Sequence, residues 1–229
     1  MESRDKVEEP GPPFANFHPA ALVLDFDGTI VDTESTSFEA ARAAYETHGL
    51  VLDLTDWRRV VGRTDQPHWT VDLQSRVDTT LDLSTLRSET RRRKTAMSMA
   101  QPLRDGIAEL ITCARATGVG VAIASSSPRE WGDAHLDRLG ITSHFDAIAT
   151  AGGRLRSKPR PDTYLEACRA LGLEPGTCLA IEDSVVGCSA AVTAGLRCVA
   201  IPNDITAGQD FAAVGVDVVV THPAELRLF

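Results

Sequence analysis

Short apolar runs that alternate with helical patterns limit the fold of this chain more than any other feature of its sequence. Residues 21–24 form the first run, and a helical pattern begins near Glu34. The same order returns where the apolar residues 119–124 are followed by a break and then by a helical pattern over residues 130–139. Each pair predicts a buried strand, a loop and a helix, in that order.

The second half of the chain repeats this order. Residues 177–181 predict a strand that leads into an alanine-rich helix, and Gly195 is placed to end that helix. Residues 197–201 and 216–220 add short β-branched runs. Strands and helices that alternate with short connections are typical of a parallel sheet covered on both faces. The predicted fold is therefore α/β, with a Rossmann-like parallel sheet and helices on both of its faces.

One long segment interrupts the alternation. Residues 35–100 carry several helical patterns and no convincing apolar strand, which predicts an inserted helical cap domain. Trp57 and Trp69 are then expected in the core of that cap rather than in a ligand site. The core domain is assigned to the flanking residues 19–34 and 101–229.

The composition predicts a soluble globular protein. With 43% hydrophobic residues among 229, the chain can bury a full core. No apolar run reaches the roughly 20 residues that a membrane-spanning helix needs. Residues 1–18 carry mixed charge and three prolines, which predicts a flexible N-terminal tail and not a secretory signal. Five cysteines without a CxxC pair favour reduced, mostly buried thiols in a cytoplasmic protein.

The charge of the chain argues against a nucleic-acid partner. Proteins that bind phosphate backbones do so through a basic surface, whereas this chain has a formal net charge of −9. Residues 91–94, Arg-Arg-Arg-Lys, are a local exception on a helix predicted over residues 84–99. We interpret this run as a solvated helix face and assign it no role.

Polar residues follow the predicted strands at the points where the strands end. Asp25 and Asp27 follow the first strand, Ser125 follows the second, and Glu182 and Asp183 follow a later one. Ligands of open α/β sheets bind at the carboxyl ends of the strands, so these side chains are candidates for one site. Taken singly, the same residues fit plainer structural roles such as helix caps and turns.

Together these residues form four motifs in a fixed order. The first is Asp25-Phe26-Asp27-Gly28-Thr29-Ile30, and Ser125 stands for the second. Lys158 in SKPRPDTY is the third, and Glu182-Asp183 in IEDSVVG is the fourth. In this the chain resembles the haloacid dehalogenase superfamily, and in particular its subgroup with a helical cap, which includes β-phosphoglucomutases and small sugar-phosphate phosphatases.

The resemblance implies a metal-dependent phosphoryl transfer. Asp25 would attack phosphorus with one oxygen and bind Mg²⁺ with the other, forming an aspartyl-phosphate. Asp27 would serve as general acid and then general base, with its main-chain carbonyl on the metal. Asp183 would be a further metal ligand, and Glu182 would assist beside it.

The phosphate would be held by other groups. Lys158 would neutralise its charge, while Ser125 and Ser126 would donate hydrogen bonds to it. Arg63, in the predicted cap, is our candidate for contact with the rest of the substrate, although an exposed surface position explains it almost as well.

The predicted activity is Mg²⁺-dependent hydrolysis of a small phosphate monoester. A sugar phosphate, a nucleoside 5′-phosphate or a phosphorylated biosynthetic intermediate would fit, and the expected active species is a monomer without nucleic-acid or membrane partners. A phosphosugar mutase is the alternative enzyme, but Ser37 stands where similar mutases carry a histidine. A third possibility is a binding protein that has kept the fold without its chemistry.

Overall fold

The structure, a computed structural model, describes residue 14, residues 17–60 and residues 68–228. Its centre is a six-stranded sheet in which every pairing is parallel, with the strand order β3-β2-β1-β4-β5-β6. This confirms the predicted α/β sheet. The strands are β1 (Ala21–Leu24), β2 (Gly120–Ser125), β3 (Ala147–Thr150), β4 (Cys178–Glu182), β5 (Arg197–Ala200) and β6 (Val218–Val219).

Eight α-helices accompany the strands in the described part of the chain. Those that alternate with the strands are α5 (Ile107–Ala116), α6 (Arg129–Leu139), α7 (Asp162–Leu171) and α8 (Val185–Thr193). Those of the cap are α1 (Thr33–Thr47), α2 (Leu54–Val60), α3 (Trp69–Ser75) and α4 (Leu83–Ser98). Among the described residues, none of these helices combines the length and the apolar character that crossing a membrane requires.

The central strand β1 is buried on both faces, as expected for a parallel sheet. Leu22 and Leu24 pack into a cluster of large aliphatic and aromatic side chains on one face, and Ala21 and Val23 pack into a cluster dominated by alanine and cysteine on the other. Small side chains let helices approach a sheet closely. Four of the five free cysteines are buried, as predicted, and Cys113 is exposed.

The cap has a core of its own. Phe38 and Tyr45 from α1, Trp57 from α2 and Leu73 from α3 share one apolar cluster, against which Trp69 packs. Both tryptophans therefore lie where the sequence predicted. Ile205, from the loop after β5, joins the same cluster and connects the cap to the edge of the sheet where that strand ends.

Three details differ from the sequence-based expectations. Strand β3 was not predicted, because its four residues are only partly buried and read as a weak apolar run. In the predicted tail, Phe14 is buried in the core cluster and its ring centroid lies 6.0 Å from that of Phe17, whereas residues 1–13, 15 and 16 lie outside the described residues. Residues 91–93 are exposed as expected, but Lys94 is half-buried and turns toward the sheet.

Candidate active site

The first motif, residues 25–30, forms a tight turn directly after β1. The amide of Asp25 continues the sheet by donating to the carbonyl of Ile181 at 2.9 Å, and the amide of Gly28 donates to the carbonyl of Val31 at 2.7 Å. Gly28 has φ +91°, and a Cβ at this position would overlap the carboxylate of Asp183. Glycine is required here both by the backbone angle and by the neighbouring carboxylate.

Lys158 lies between two buried carboxylates. Its ammonium contacts Oδ1 of Asp25 and donates to Oε1 of Glu182 at 2.7 Å. Tyr164 donates its hydroxyl to the same Glu182 oxygen at 2.9 Å. Burial alone would lower the pKa of Lys158, but the charges of Asp25 and Glu182 outweigh burial and raise it. Lys158 is thus a fixed positive charge beside Asp25.

The single positive charge of Lys158 does not balance the negative charges of the carboxylates around it. Carboxylate oxygens of Asp25, Glu182 and Asp183 lie within 4.8 Å of one another, and all three residues are buried. Burial raises the pKa of Asp25 to about 8, with Lys158 opposing the shift and Glu182 adding to it. Burial and the charges of Glu182 and Asp25 raise the pKa of Asp183 well above its usual range.

This surplus of buried carboxylates fits a divalent cation. Hard cations take oxygen ligands, and a bound cation would offset the negative charge that these buried carboxylates share. Asp25 and Asp183 offer the carboxylates that would hold the ion, and the main-chain carbonyl of Asp27 is the further ligand that the resemblance implies. Glu182 has no free oxygen: Oε1 accepts from Lys158 and Tyr164, and Oε2 accepts from the amides of Asp183 and Ser184. Its role is therefore to hold the neighbouring groups in position.

Asp183 is held in place by Asn203, a residue that the sequence analysis did not select. Nδ2 of Asn203 donates to Oδ2 of Asp183 at 2.7 Å, and Oδ1 of Asn203 accepts from the amides of Ile205 and Thr206. Arg104 supports the adjoining backbone by donating to the carbonyls of Gly28, Ile201 and Pro202. The loop after β5 is therefore a fifth element of the site, in addition to those that follow β1, β2, β3 and β4.

Asp27 receives three hydrogen bonds. Oδ1 accepts from the hydroxyl of Thr33 at 2.7 Å and from the indole N–H of Trp131 at 2.8 Å, and Oδ2 accepts from the hydroxyl of Ser127 at 2.5 Å. These partners come from the start of α1, the loop after β2 and helix α6. The carboxylate is thus fixed in orientation from three sides.

The serines at the end of β2 and in the following turn differ in accessibility. Ser125 is buried, and its Oγ accepts from the amide of Ser127 at 3.0 Å, which shapes the turn. Ser126 is exposed, and its Oγ accepts from the amide of Lys158 at 3.1 Å. Ser126 and Ser127 both line the site cavity, so the turn presents two hydroxyls beside Asp25.

The carboxyl ends of the strands open into a cavity of about 430 Å³. Asp25, Asp27 and Asp183 form its floor, while Glu34 from α1 and Lys94 from α4 line it from the cap. Burial raises the pKa of Glu34 to about 7, against the opposing charge of Lys94. The run at residues 91–94, to which the sequence analysis gave no role, therefore contributes one residue to the cavity.

The structure brings most of the predicted site residues together. Six of them line or adjoin this cavity, namely Asp25, Asp27, Ser126, Lys158, Glu182 and Asp183. Ser125 lies just beneath it, and Arg63 lies outside the described residues. Sequence reasoning missed Asn203, Trp131, Ser127 and Tyr164. The strand-end rule could have identified Asn203, which follows β5, whereas no local pattern marks Trp131.

Comparison with known proteins gives a consistent result. The family model described as haloacid dehalogenase-like hydrolase matches residues 19–195. The chain is 35% identical over 233 residues to the plasmid-encoded protein CbbY of Cupriavidus necator, covering 90% of this chain and 87% of that protein. It is 29% identical over 195 residues to hexitol phosphatase B of Escherichia coli K12, covering 80% of this chain and 83% of that enzyme.

Solved structures show the same likeness. A HAD family hydrolase from Deinococcus radiodurans, crystallised with bound phosphate and sodium, superposes with a TM-score of 0.76 at 30% identity. The match covers 91% of this chain and 93% of that one, so both the sheet domain and the cap have counterparts.

Proposed function

The chain belongs to the haloacid dehalogenase-like hydrolases and is a phosphoric monoester hydrolase, and we propose that it uses Asp25 and Mg²⁺ to hydrolyse the phosphate ester of a small metabolite. The observation that supports this most strongly is the position of Asp25. Its carboxylate contacts the buried Lys158, belongs to the acidic cluster and lines the cavity. The cavity thus brings together the nucleophile that we propose, a positive charge to bind the phosphate, and carboxylates that can bind a metal.

The first half of the reaction is bond exchange at phosphorus. One oxygen of Asp25 forms a bond to phosphorus while the bond from phosphorus to the ester oxygen breaks, which gives an aspartyl-phosphate. Lys158 offsets negative charge on the phosphoryl oxygens, and Ser126 supplies a hydrogen-bond donor. Mg²⁺, when bound by Asp25, Asp183 and the main-chain carbonyl of Asp27, would neutralise further charge on the phosphoryl group.

Asp27 is assigned the proton transfers. In the first half its carboxyl gives a proton to the departing ester oxygen, and in the second half the carboxylate takes a proton from the water that attacks the aspartyl-phosphate. Its place on the cavity floor beside Asp25 suits both steps. The enzyme returns to its starting state when inorganic phosphate leaves.

The cavity supports a small polar substrate. About 430 Å³ lies within the usual range for small-molecule sites. Glu34 and Lys94 face that space from the cap, and such groups suit hydroxyls or a second charge on the leaving group. Among the relatives, hexitol phosphatase B bears the name of a sugar-alcohol phosphatase. We therefore place sugar phosphates before nucleoside 5′-phosphates and other phosphorylated intermediates, with Arg63 as a further cap contact.

A phosphosugar mutase has less support. Ser37 replaces the cap histidine of similar mutases, and its hydroxyl donates to the carbonyl of Thr33 at 2.9 Å within helix α1. A hydroxyl engaged in this way is not available to move a proton to or from a sugar. Transfer of the phosphoryl group to water is thus favoured over its transfer to a second sugar position.

The test is phosphate release from a panel of sugar, nucleoside and other metabolite phosphates, with Mg²⁺ and with a chelator. We expect release that requires the metal and is fastest with one class of small ester. Folded protein that binds Mg²⁺ and releases no phosphate from any member would contradict the proposal. Interconversion of sugar-phosphate isomers would then be assayed.

Light scattering during gel filtration tests our further proposal that the active species is a monomer.

A further inference from the structure

The indole of Trp131 is the one donor to Asp27, among the three described, that cannot change its hydrogen-bonding role. The hydroxyls of Thr33 and Ser127 can rotate and can accept as well as donate, whereas an indole N–H only donates. Trp131 gives a 2.8 Å hydrogen bond to Oδ1 of Asp27 from helix α6, 104 residues along the chain. This contact therefore restricts Oδ1 to the role of acceptor.

The position of the indole is itself fixed by its neighbours. The ring of His135 packs against it in an edge-on arrangement, with 4.5 Å between centroids, and His135 has no exposed surface. Nδ1 of His135 accepts in turn from Arg138 at 3.0 Å. From the cap, the ammonium of Lys94 lies 5.7 Å from the centroid of the indole ring. The core and the cap both contact Trp131.

We propose that Trp131 is the positioning residue for Asp27: its N–H holds Oδ1, so that Oδ2 is the oxygen that delivers the proton to the departing ester oxygen. The inference rests on the proposed phosphatase activity. Ser127, the partner of Oδ2, can reverse its hydroxyl and accept while the proton resides on that oxygen. Oδ1 faces the indole N–H, which cannot accept a hydrogen bond. A proton on Oδ1 would therefore point toward another hydrogen, and Oδ2 is the oxygen that carries it.

The chemistry affected is the departure of the leaving group. As the oxygen of Asp25 bonds to phosphorus and the ester bond breaks, the electron pair of that bond goes to the ester oxygen. An alkyl ester needs the proton of Asp27 at this moment, because an alkoxide leaves poorly. A p-nitrophenyl ester does not, because nitrophenolate is stable without a proton. Loss of positioning should therefore affect the two esters differently.

The test compares kcat/KM for both esters in the variant Trp131→Phe. Phe keeps an aromatic ring beside His135 and removes the N–H donor together with part of the indole. For the best alkyl phosphate of the panel we expect kcat/KM to fall by about 10- to 100-fold, as expected for a misplaced catalytic group. For p-nitrophenyl phosphate kcat/KM should change little. In the background of Asp27→Asn, Trp131→Phe should add no further loss.

Trp57→Phe is the matched control. Trp57 is a buried tryptophan of the cap whose Nε1 has no hydrogen-bond partner among the described residues. Its replacement also removes an indole N–H, yet it should leave the ratio of the two kcat/KM values unchanged. If Trp131→Phe unfolds, incorporation of β-(3-benzothienyl)alanine at position 131 replaces the N–H by sulfur at nearly the same shape.

The outcomes separate the inference from the proposed function. Equal losses for both esters, or no loss for either, would overturn the role of Trp131 while the wild-type enzyme remains active. A wild-type protein that hydrolyses neither ester with Mg²⁺ would instead contradict the phosphatase proposal. A selective loss for the alkyl ester that disappears when Asp27 is replaced supports the inference.

Discussion

The ammonium of Lys158 donates a 2.7 Å hydrogen bond to Oε1 of Glu182, a carboxylate without exposed surface. The same ammonium contacts Asp25, so a single cation separates two buried anions. Removing one partner of a buried ion pair costs much more than the pair contributes, because the remaining charge stays buried without compensation.

Lys158→Met should therefore lower both stability and activity. We expect a loss of about 3–5 kcal/mol in the free energy of unfolding and at least ~10²-fold lower turnover, as for the loss of a charge that faces the transition state. Urea unfolding and phosphate release measure the two effects. Arg169→Met is the control: Arg169 pairs with Glu166 on the surface of α7, and its loss should cost at most about 1 kcal/mol. Equal effects of both variants would contradict this assignment.

Asp25→Asn should abolish turnover with little change in fold. The amide is nearly the same size but is no longer a nucleophile and carries no charge for the metal, so we expect at least a ~10³-fold loss. Rapid acid quenching with ³²P-labelled substrate should show a phosphorylated wild-type enzyme and an unlabelled variant. Turnover retained by Asp25→Asn would refute the covalent mechanism.

Asn203→Leu should weaken metal binding. Leucine keeps the branched outline of asparagine, although it is larger, and it cannot donate to Asp183, so the carboxylate loses the bond that orients it. We expect the Mg²⁺ concentration for half-maximal activity to rise about 10- to 100-fold. Thr206→Val is the control, because it removes a hydroxyl that bonds to Asn203 and leaves the contact with Asp183 intact. A similar rise in both variants would assign the effect to the loop instead.

These residues also show how far the sequence could predict the site. Strands buried on both faces appear as apolar runs, and Asp25, Ser125 and Asp183 were found because each follows such a run. Strand β3 escaped prediction because it is only partly buried. Asn203 follows β5 and could have been found by applying the strand-end rule once more.

Other contacts depend on how the elements pack. Trp131 reaches Asp27 only because α6 lies against the loop after β1, and the two residues are 104 positions apart. Lys94 was grouped with three arginines that are indeed exposed, and only the packing of α4 against α1 turns it toward the cavity. The periodicity of the local sequence predicts neither the contact of Trp131 with Asp27 nor the position of Lys94 at the cavity.

Mg²⁺ should stabilise the protein more at pH 8 than at pH 5.5. Burial raises the pKa of Asp25 to about 8 and that of Asp183 well above its usual range. The folded protein therefore keeps protons that the unfolded chain has released, and the metal-free protein loses stability as pH rises from about 4 to 8. The metal competes with those protons, so its effect grows over the same window.

The measurement is the melting temperature with Mg²⁺ and with chelator at both pH values. We expect a clear increase on addition of Mg²⁺ at pH 8 and a small one at pH 5.5. Asp183→Asn should remove most of the increase at pH 8. An increase of the same size at both pH values would show that the metal does not bind at these carboxylates.

Two helical glycines should respond in opposite ways to replacement by alanine. Alanine in place of a helical glycine usually stabilises by about 0.5–1 kcal/mol. At Gly132 in α6, no heavy atom of the described residues outside its own helix lies within 4 Å of the space that a Cβ would fill, so Gly132→Ala should show this gain. A Cβ at Gly187 in α8 would overlap the carboxylate of Glu182. Gly187→Ala should therefore destabilise by about 1–3 kcal/mol through overpacking.

The same pair separates stability from catalysis. Glu182 can make room for a methyl group at position 187 only by moving its carboxylate, which donors from Lys158 and Tyr164 hold in place. Turnover of Gly187→Ala should thus fall together with its stability, while Gly132→Ala keeps the turnover of the wild-type enzyme. Urea unfolding and Mg²⁺-dependent phosphate release measure both properties. Full activity in Gly187→Ala would mean that Glu182 does not need its present position beneath Asp25.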